Sequence, residues 1–352
     1  MRIIRRISAV LVGIVFFISG VLKLMDPVGA KLVVDGYLNF LHLGFLRFAD
    51  SAIGVGAALT ESLCGAALLT GVWKKATGIL VGVMMAFFTV LTVLLVAFDP
   101  SMDCGCFGEA VHLTHTQSLL KNIVLLLLWA LAFIPLRSQE QTRKIKYGTF
   151  ATVAVALLLF LFYSAMSIPM VDFTKYKPGA ELMLSDEIEA DDTSTPTLSF
   201  SSADGNYADS LALSGNVLVI SVYNPERVSD RRWDRIGATV AAAEQTGYTP
   251  LLLACSNPED IMETVSSQDI LSVTYFSDLK ELIALNRSNG GATYISDGQI
   301  VAKWSAGTLP GREKLSTMAA RNSAEVLVSE NNVPGLKFQA LVLFMLAVMM
   351  LL

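Results

Sequence analysis

The chain has 352 residues, 53% of them hydrophobic and 16% charged, with a mean hydropathy of +0.55. That composition excludes an entirely water-soluble protein and implies several membrane spans, with length left over for one ordinary soluble domain. A formal net charge of −5 gives no reason to expect nucleic acid as a partner.

A hydrocarbon core needs about 20 apolar residues in a helix to cross it. Five runs meet that requirement, at 7–25, 52–72, 76–98, 118–136 and 147–170, and a sixth runs from Phe338 to Leu352. The first follows Arg2, Arg5 and Arg6, as a signal peptide would. It is long, and Ser19-Gly20 leads into Val-Leu-Lys rather than a small-residue cleavage site, so it reads as a retained span. Positive residues orient the bundle. The N-terminal arginines, Lys74-Lys75, and the group Arg137, Arg143, Lys144 and Lys146 all fall on one side if the helices alternate. That side is expected to be cytoplasmic. The 26–51 loop, the loop at Cys104 and residues 171–335 are expected on the other.

The loop Asp103-Cys104-Gly105-Cys106-Phe107-Gly108 holds two of the four cysteines. A Cys-x-Cys disulfide closes a very small ring and should be easily reduced, and on the non-cytoplasmic side of a bacterial membrane its surroundings are oxidising. A redox-active pair is the leading reading. The alternatives are a static disulfide pinning the loop, or a zinc site built from Cys104, Cys106, His112 and His115.

Four polar side chains sit within apolar runs, where ionisable groups are costly and usually pair or line a pathway. Lys23 and Glu61 are candidates to pair, unless Lys23 snorkels to the interface; Lys121 and Asn122 are further partners at similar depth. Cys64 follows Glu61 by about one helical turn and could resolve the loop pair or be a small core residue. Asp50 and Asp103 are expected at the surface, at helix mouths.

Residues 172–215 read as a linker and a first hairpin, with strands at 197–201 and 210–213 and an acidic run from Asp186 to Asp192 taken as a solvated loop. Residues 216–330 alternate strands and helices. Val217–Tyr223 and Leu251–Cys255 are buried strands, Cys255 being a core residue. Helices are expected over 230–246, from Pro258, from Asp278 and over 309–320, with a short strand at 272–276. Asp297-Gly298 turns a hairpin between 292–296 and 299–304.

Phe17-Ile18-Ser19-Gly20-Val21-Leu22-Lys23-Leu24-Met25-Asp26-Pro27, then Glu61, Gly65 and Leu68-Leu69-Thr70-Gly71, then Cys104-Gly105-Cys106-Phe107-Gly108, resemble the DoxX/MauE superfamily of membrane proteins in the expected order. The resemblance implies a four-helix membrane domain over 1–140. It also implies a link to methylamine utilisation, where MauE is implicated in maturing a disulfide-rich dehydrogenase subunit. A fifth transmembrane helix follows over 141–171, and a C-terminal one over 336–352. The βα succession over 216–330 resembles an extracytoplasmic thioredoxin-like domain. It departs from thioredoxins in having Asn224-Pro225-Glu226-Arg227 where Cys-x-x-Cys belongs and Gly290-Gly291 where a cis-proline would stand.

The combined expectation is an α-helical polytopic protein of a bacterial inner membrane carrying an α/β thioredoxin-like domain in the periplasm. It would act as a thiol–disulfide exchange or maturation factor through Cys104 and Cys106, possessing an extracytoplasmic client or redox partner and a quinone as candidate electron acceptor. The competing classes are a membrane scaffold with a structural disulfide and a Cys/His metal-binding membrane protein.

Overall fold

A computed structural model describes residues 2–100, 102–134, 143–184, 195–255, 258–265 and 267–351. They form two compact units, Met1–Ala165 with Gln339–Leu352, and Met166–Phe338. Among the described residues six helices are long and apolar enough to cross a membrane: Ile3–Met25, Gly44–Thr70, Lys74–Phe98, His115–Phe133, Lys144–Met166 and Ser323–Met350.

In the first unit, α1 (Arg2–Met25) packs along α3 (Asp50–Thr70). Glycine makes that approach possible: a Cβ at Gly65 would lie 2.7 Å from the Gly13 carbonyl oxygen, and one at Gly20 would lie 2.6 Å from that of Ala58. Small residues at such crossings let helix backbones touch where no hydrophobic effect drives association. α4 (Lys74–Phe98) and α5 (His115–Phe133) complete the bundle, and α6 (Lys144–Met166) follows.

The 26–51 connection is more ordered than a loop. Asp26 caps α2 (Pro27–Phe40) by accepting from Gly29 N at 2.9 Å, with Pro27 at the first helical position, and a 3-10 turn spans Gly44–Ala49. Asp50 is correspondingly not a surface residue. It is buried at the start of α3, with Lys31 Nζ 3.7 Å away.

The second unit holds a six-stranded mixed sheet in the order β2-β5-β4-β3-β6-β7. The strands are β2 (Phe200–Ser201), β3 (Asn216–Val222), β4 (Thr249–Ala254), β5 (Thr274–Ser277), β6 (Gly291–Ser296) and β7 (Gln299–Trp304); β1 is the short Cys106–Glu109 segment of the first unit. β3, β4 and β5 run parallel, and β6 is antiparallel to β3. The central strand β3 is buried on both faces, which explains its unbroken apolar run. Leu218, Ile220 and Val222 meet Trp233, Ile236 and Val240 of α7 (Asp230–Gln245) in one cluster. Val217 and Val219 meet Phe200, Leu251, Leu282 and Leu285 on the other face. Cys255 packs at the edge of that second cluster.

Three details differ from the sequence reading. The stretch from Pro258 is two short helices, α8 (Pro258–Thr264) and α9 (Gln268–Ser272), before α10 (Leu279–Leu285). Residues 209–212 form a 3-10 turn rather than a strand, because the Asp209 carboxylate accepts from Phe200 N at 2.7 Å and closes the segment locally. After α11 (Arg312–Ala319), the last helix α12 (Ser323–Leu351) begins well before Phe338 and contains Pro334. Its polar half is held by Asn331, whose side-chain amide donates to the carbonyls of Leu327 and Val301 at 2.7 and 2.9 Å. The acidic run 186–192 lies outside the described residues.

Candidate functional site

The site lies in the first unit, where the Cys104 loop covers one end of the bundle. Gly105 sits at φ +62°, in the left-handed region that favours glycine, and a Cβ there would lie 2.7 Å from Val33 Cγ2 on α2. The loop can therefore lie flat on α2 only with glycine between the cysteines. The Tyr37 hydroxyl, also on α2, donates to the Cys104 carbonyl at 2.9 Å. Burial, then the neighbouring Cys104, pushes Tyr37 above its ordinary range, so it acts as a neutral donor.

The geometry turns the two cysteines toward each other, with sulfurs 2.9 Å apart. Cys104 is buried and Cys106 half-buried. Their environments separate them electrostatically. The hydrogen bond from Cys104 lowers the Cys106 thiol to about 5; burial opposes this, and the Lys121 and Lys23 ammonium groups reinforce it. Cys104 moves the other way, raised by the hydrogen bond it shares with Cys106 and by burial. The asymmetry favours the thiolate at Cys106 and the thiol at Cys104.

Behind the cysteines, Lys23 Nζ donates to both Glu61 oxygens, at 2.8 and 2.9 Å. The Ser19 hydroxyl lies 2.9 Å from Glu61 Oε2 and 2.7 Å from the Cys106 carbonyl, and its single proton serves one of them at a time. Ser19 ties the ion pair to the loop. It stands one helical turn before Lys23, an i, i+4 spacing that puts the two on one face, although the sequence reading did not single Ser19 out. Lys121 Nζ lies 4.9 Å from the centroid of the Phe107 ring. Asn122 donates to Thr92 Oγ1 at 3.2 Å and lies 3.3 Å from the Phe88 carbonyl, joining α5 to α4.

These groups border a cavity of about 320 Å³, reached by Cys104, Cys106, Lys23, Glu61, Lys121 and Asn122, with Ser19, Tyr37 and Thr92 also in its wall and the rest of the lining mostly apolar. Cys64 is not in that wall. It packs with Val12, Phe16, Leu68 and Val81 in the bundle core. The histidines are also directed elsewhere: His112 Nδ1 lies 3.0 Å from Asp103, while His115 lies 3.1 Å from Asp99 and 2.9 Å from the Met102 carbonyl. Among the described residues no three His, Cys, Asp or Glu side chains are placed to hold a metal ion. The position after β3 in the second unit carries no cysteine. There Asn289 stitches two loops together, accepting from Asn224 N at 3.0 Å and donating to the Asn224 carbonyl at 2.7 Å.

Apolar helices and a loop seated over an embedded cavity define an integral membrane protein with a Cys-x-Cys mouth. Residues 1–135 match the family described as Methylamine utilisation protein MauE, and over that span the chain is similar to MauE. No curated protein and no solved structure matches the chain.

Proposed function

We propose that the protein is a membrane thiol–disulfide exchange factor whose working pair is Cys104 and Cys106. The observation that carries this reading is the pairing of a thiolate-stabilised Cys106 with a protonated Cys104 across 2.9 Å. In the oxidised form a client thiolate attacks the Cys104 sulfur, and Cys106 departs as a thiolate, because the lower-pKa sulfur leaves faster. A second client thiolate then attacks the mixed disulfide, forming the client disulfide and leaving Cys104 reduced. Two electrons have passed from client to protein. Cys104 is buried beneath Tyr37, so the loop lifts from α2 to admit the client.

The Lys and Arg bias supports a bacterial inner-membrane setting, with the loop and the α/β unit on the periplasmic side. The strand succession of that unit supports a thioredoxin-like module that holds the client or a redox partner and performs no thiol chemistry of its own.

Thiol trapping in intact cells tests the reading. Cys104 and Cys106 are expected to shift between oxidised and reduced states when reductant is added and removed, and Cys106→Ser, which has no disulfide for a client thiolate to attack, is expected to lose client oxidation. A pair that stays oxidised throughout, with client oxidation unchanged in Cys106→Ser, would overturn it in favour of a structural disulfide.

A further inference from the structure

An exchange factor that has taken two electrons from a client must pass them on. The cavity behind Cys106 has three features that together specify an acceptor. Its wall is mostly apolar, and its volume of about 320 Å³ falls in the range of small-molecule sites. Its lining includes Ile53 on α3 and Phe87 on α4, which are 41% and 58% exposed on the outer face of helices that cross the membrane. A ligand therefore enters from lipid rather than from water. Its polar lining includes Cys106, Lys121 and the Lys23–Glu61 ion pair.

We propose that this cavity binds a membrane quinone, with its ring against Cys106 and Lys121 and its prenyl tail leaving past Ile53 and Phe87. The proposal rests on the thiol-exchange reading above and names the acceptor it requires. The Cys106 thiolate adds to a ring carbon, forming a C–S bond, and the Lys121 charge stabilises the negative oxygen that develops on the ring. Cys104 then loses its proton and its sulfur attacks Cys106. The S–S bond forms, the C–S bond breaks, and the electron pair leaves with the ring. The resulting hydroquinone takes the Cys104 proton and one proton from water. The dithiol is oxidised by two electrons and the quinone is reduced by two.

The test uses the full chain in lipid nanodiscs without oxygen, with decylubiquinone as the probe. Reduced protein is expected to yield one hydroquinone for each Cys104–Cys106 disulfide formed. Ala57→Trp and Leu91→Trp each fill the cavity from a different helix. In both, hydroquinone formation relative to exchange with glutathione disulfide should fall roughly tenfold or more, because the indole takes the volume the ring needs. If reduced protein exchanges with glutathione disulfide yet leaves decylubiquinone oxidised, or if both tryptophan variants reduce it at the unaltered relative rate, the quinone site is overturned and the exchange function stands. The reverse failure is separable, because decylubiquinone binding to Cys106→Ser needs no thiol chemistry. Saturable binding that both tryptophans abolish supports the site even if no client exchange occurs, and absent binding overturns it.

Discussion

Lys23 on α1 grips both carboxylate oxygens of Glu61 on α3, and this bond lies where glycine brings the two helices into backbone contact. Glu61 is only 3% exposed. Removing one partner leaves a buried, uncompensated charge, which typically costs about 3–5 kcal/mol. Lys23→Met and Glu61→Gln are each expected to lower stability on that scale, while the double variant should lose less than the sum. Unfolding in detergent, arranged as a double-mutant cycle, measures the coupling. Additive losses would mean that the pair is not a unit.

Cys106 gives a pH signature. Its thiol is lowered to about 5 chiefly by the hydrogen bond from Cys104, with the lysines assisting. Alkylation of reduced protein at Cys106 should therefore be fast at neutral pH and fade only as pH falls through about 5. An unperturbed cysteine fades near pH 8.5. Lys121→Met should move the midpoint upward. Because the folded value is depressed, the thiolate's contribution to stability is present above the unfolded pKa and is lost as pH falls through the folded one.

Gly105 meets two separate demands, a positive φ and the closeness of Val33. Gly105→Ala should cost about 1–3 kcal/mol and slow disulfide formation between Cys104 and Cys106. Adding Val33→Ala relieves the collision but not the backbone strain, so recovery should be partial. Disulfide formation rates in the three variants report this directly, and full recovery would mean that φ is irrelevant.

In the α/β unit, Lys303 Nζ bonds Asp172 Oδ2 at 2.6 Å. Burial alone would raise the Asp172 carboxyl, but the Lys303 charge and hydrogen bond outweigh it and hold it below its ordinary value. A depressed carboxylate contributes stability above its unfolded pKa and loses it as pH falls through the folded one. The hydrogen-exchange protection of β7 amides, relative to their intrinsic rate at each pH, should fall on acidification below about pH 4 in the native chain, near the ordinary carboxylate pKa. Asp172→Asn should show lower protection already at neutral pH, and that protection should respond less to acid.

Much of this architecture was legible in the sequence because it depends on local pattern. Apolar runs of spanning length gave five of the six long helices closely. The continuous apolar stretch from Val217 marked a strand buried on both faces, and Asp297-Gly298 marked a hairpin whose two turn residues both adopt positive φ. The Lys23–Glu61 pair was also foreseeable, since two opposite charges in apolar runs have few alternatives to each other.

What the chain alone could not decide was contact between residues distant in sequence. α2 was hidden in an expected loop, and with it Tyr37 and Val33, which seat the cysteine pair. The last span was expected only from Phe338, although its helix begins at Ser323 and continues through Pro334, with Asn331 anchored to the Val301 carbonyl of β7. Cys64 and the two histidines were plausible partners for Cys104 and Cys106 by spacing. Packing sent the first into the bundle core and gave the others Asp103 and Asp99. Composition and periodicity determined the membrane frame and the position of the Cys-x-Cys loop. Only tertiary structure put Lys23, Lys121 and an apolar cavity behind it, because electrostatic and packing partners depend on distances through space, which sequence separation does not encode.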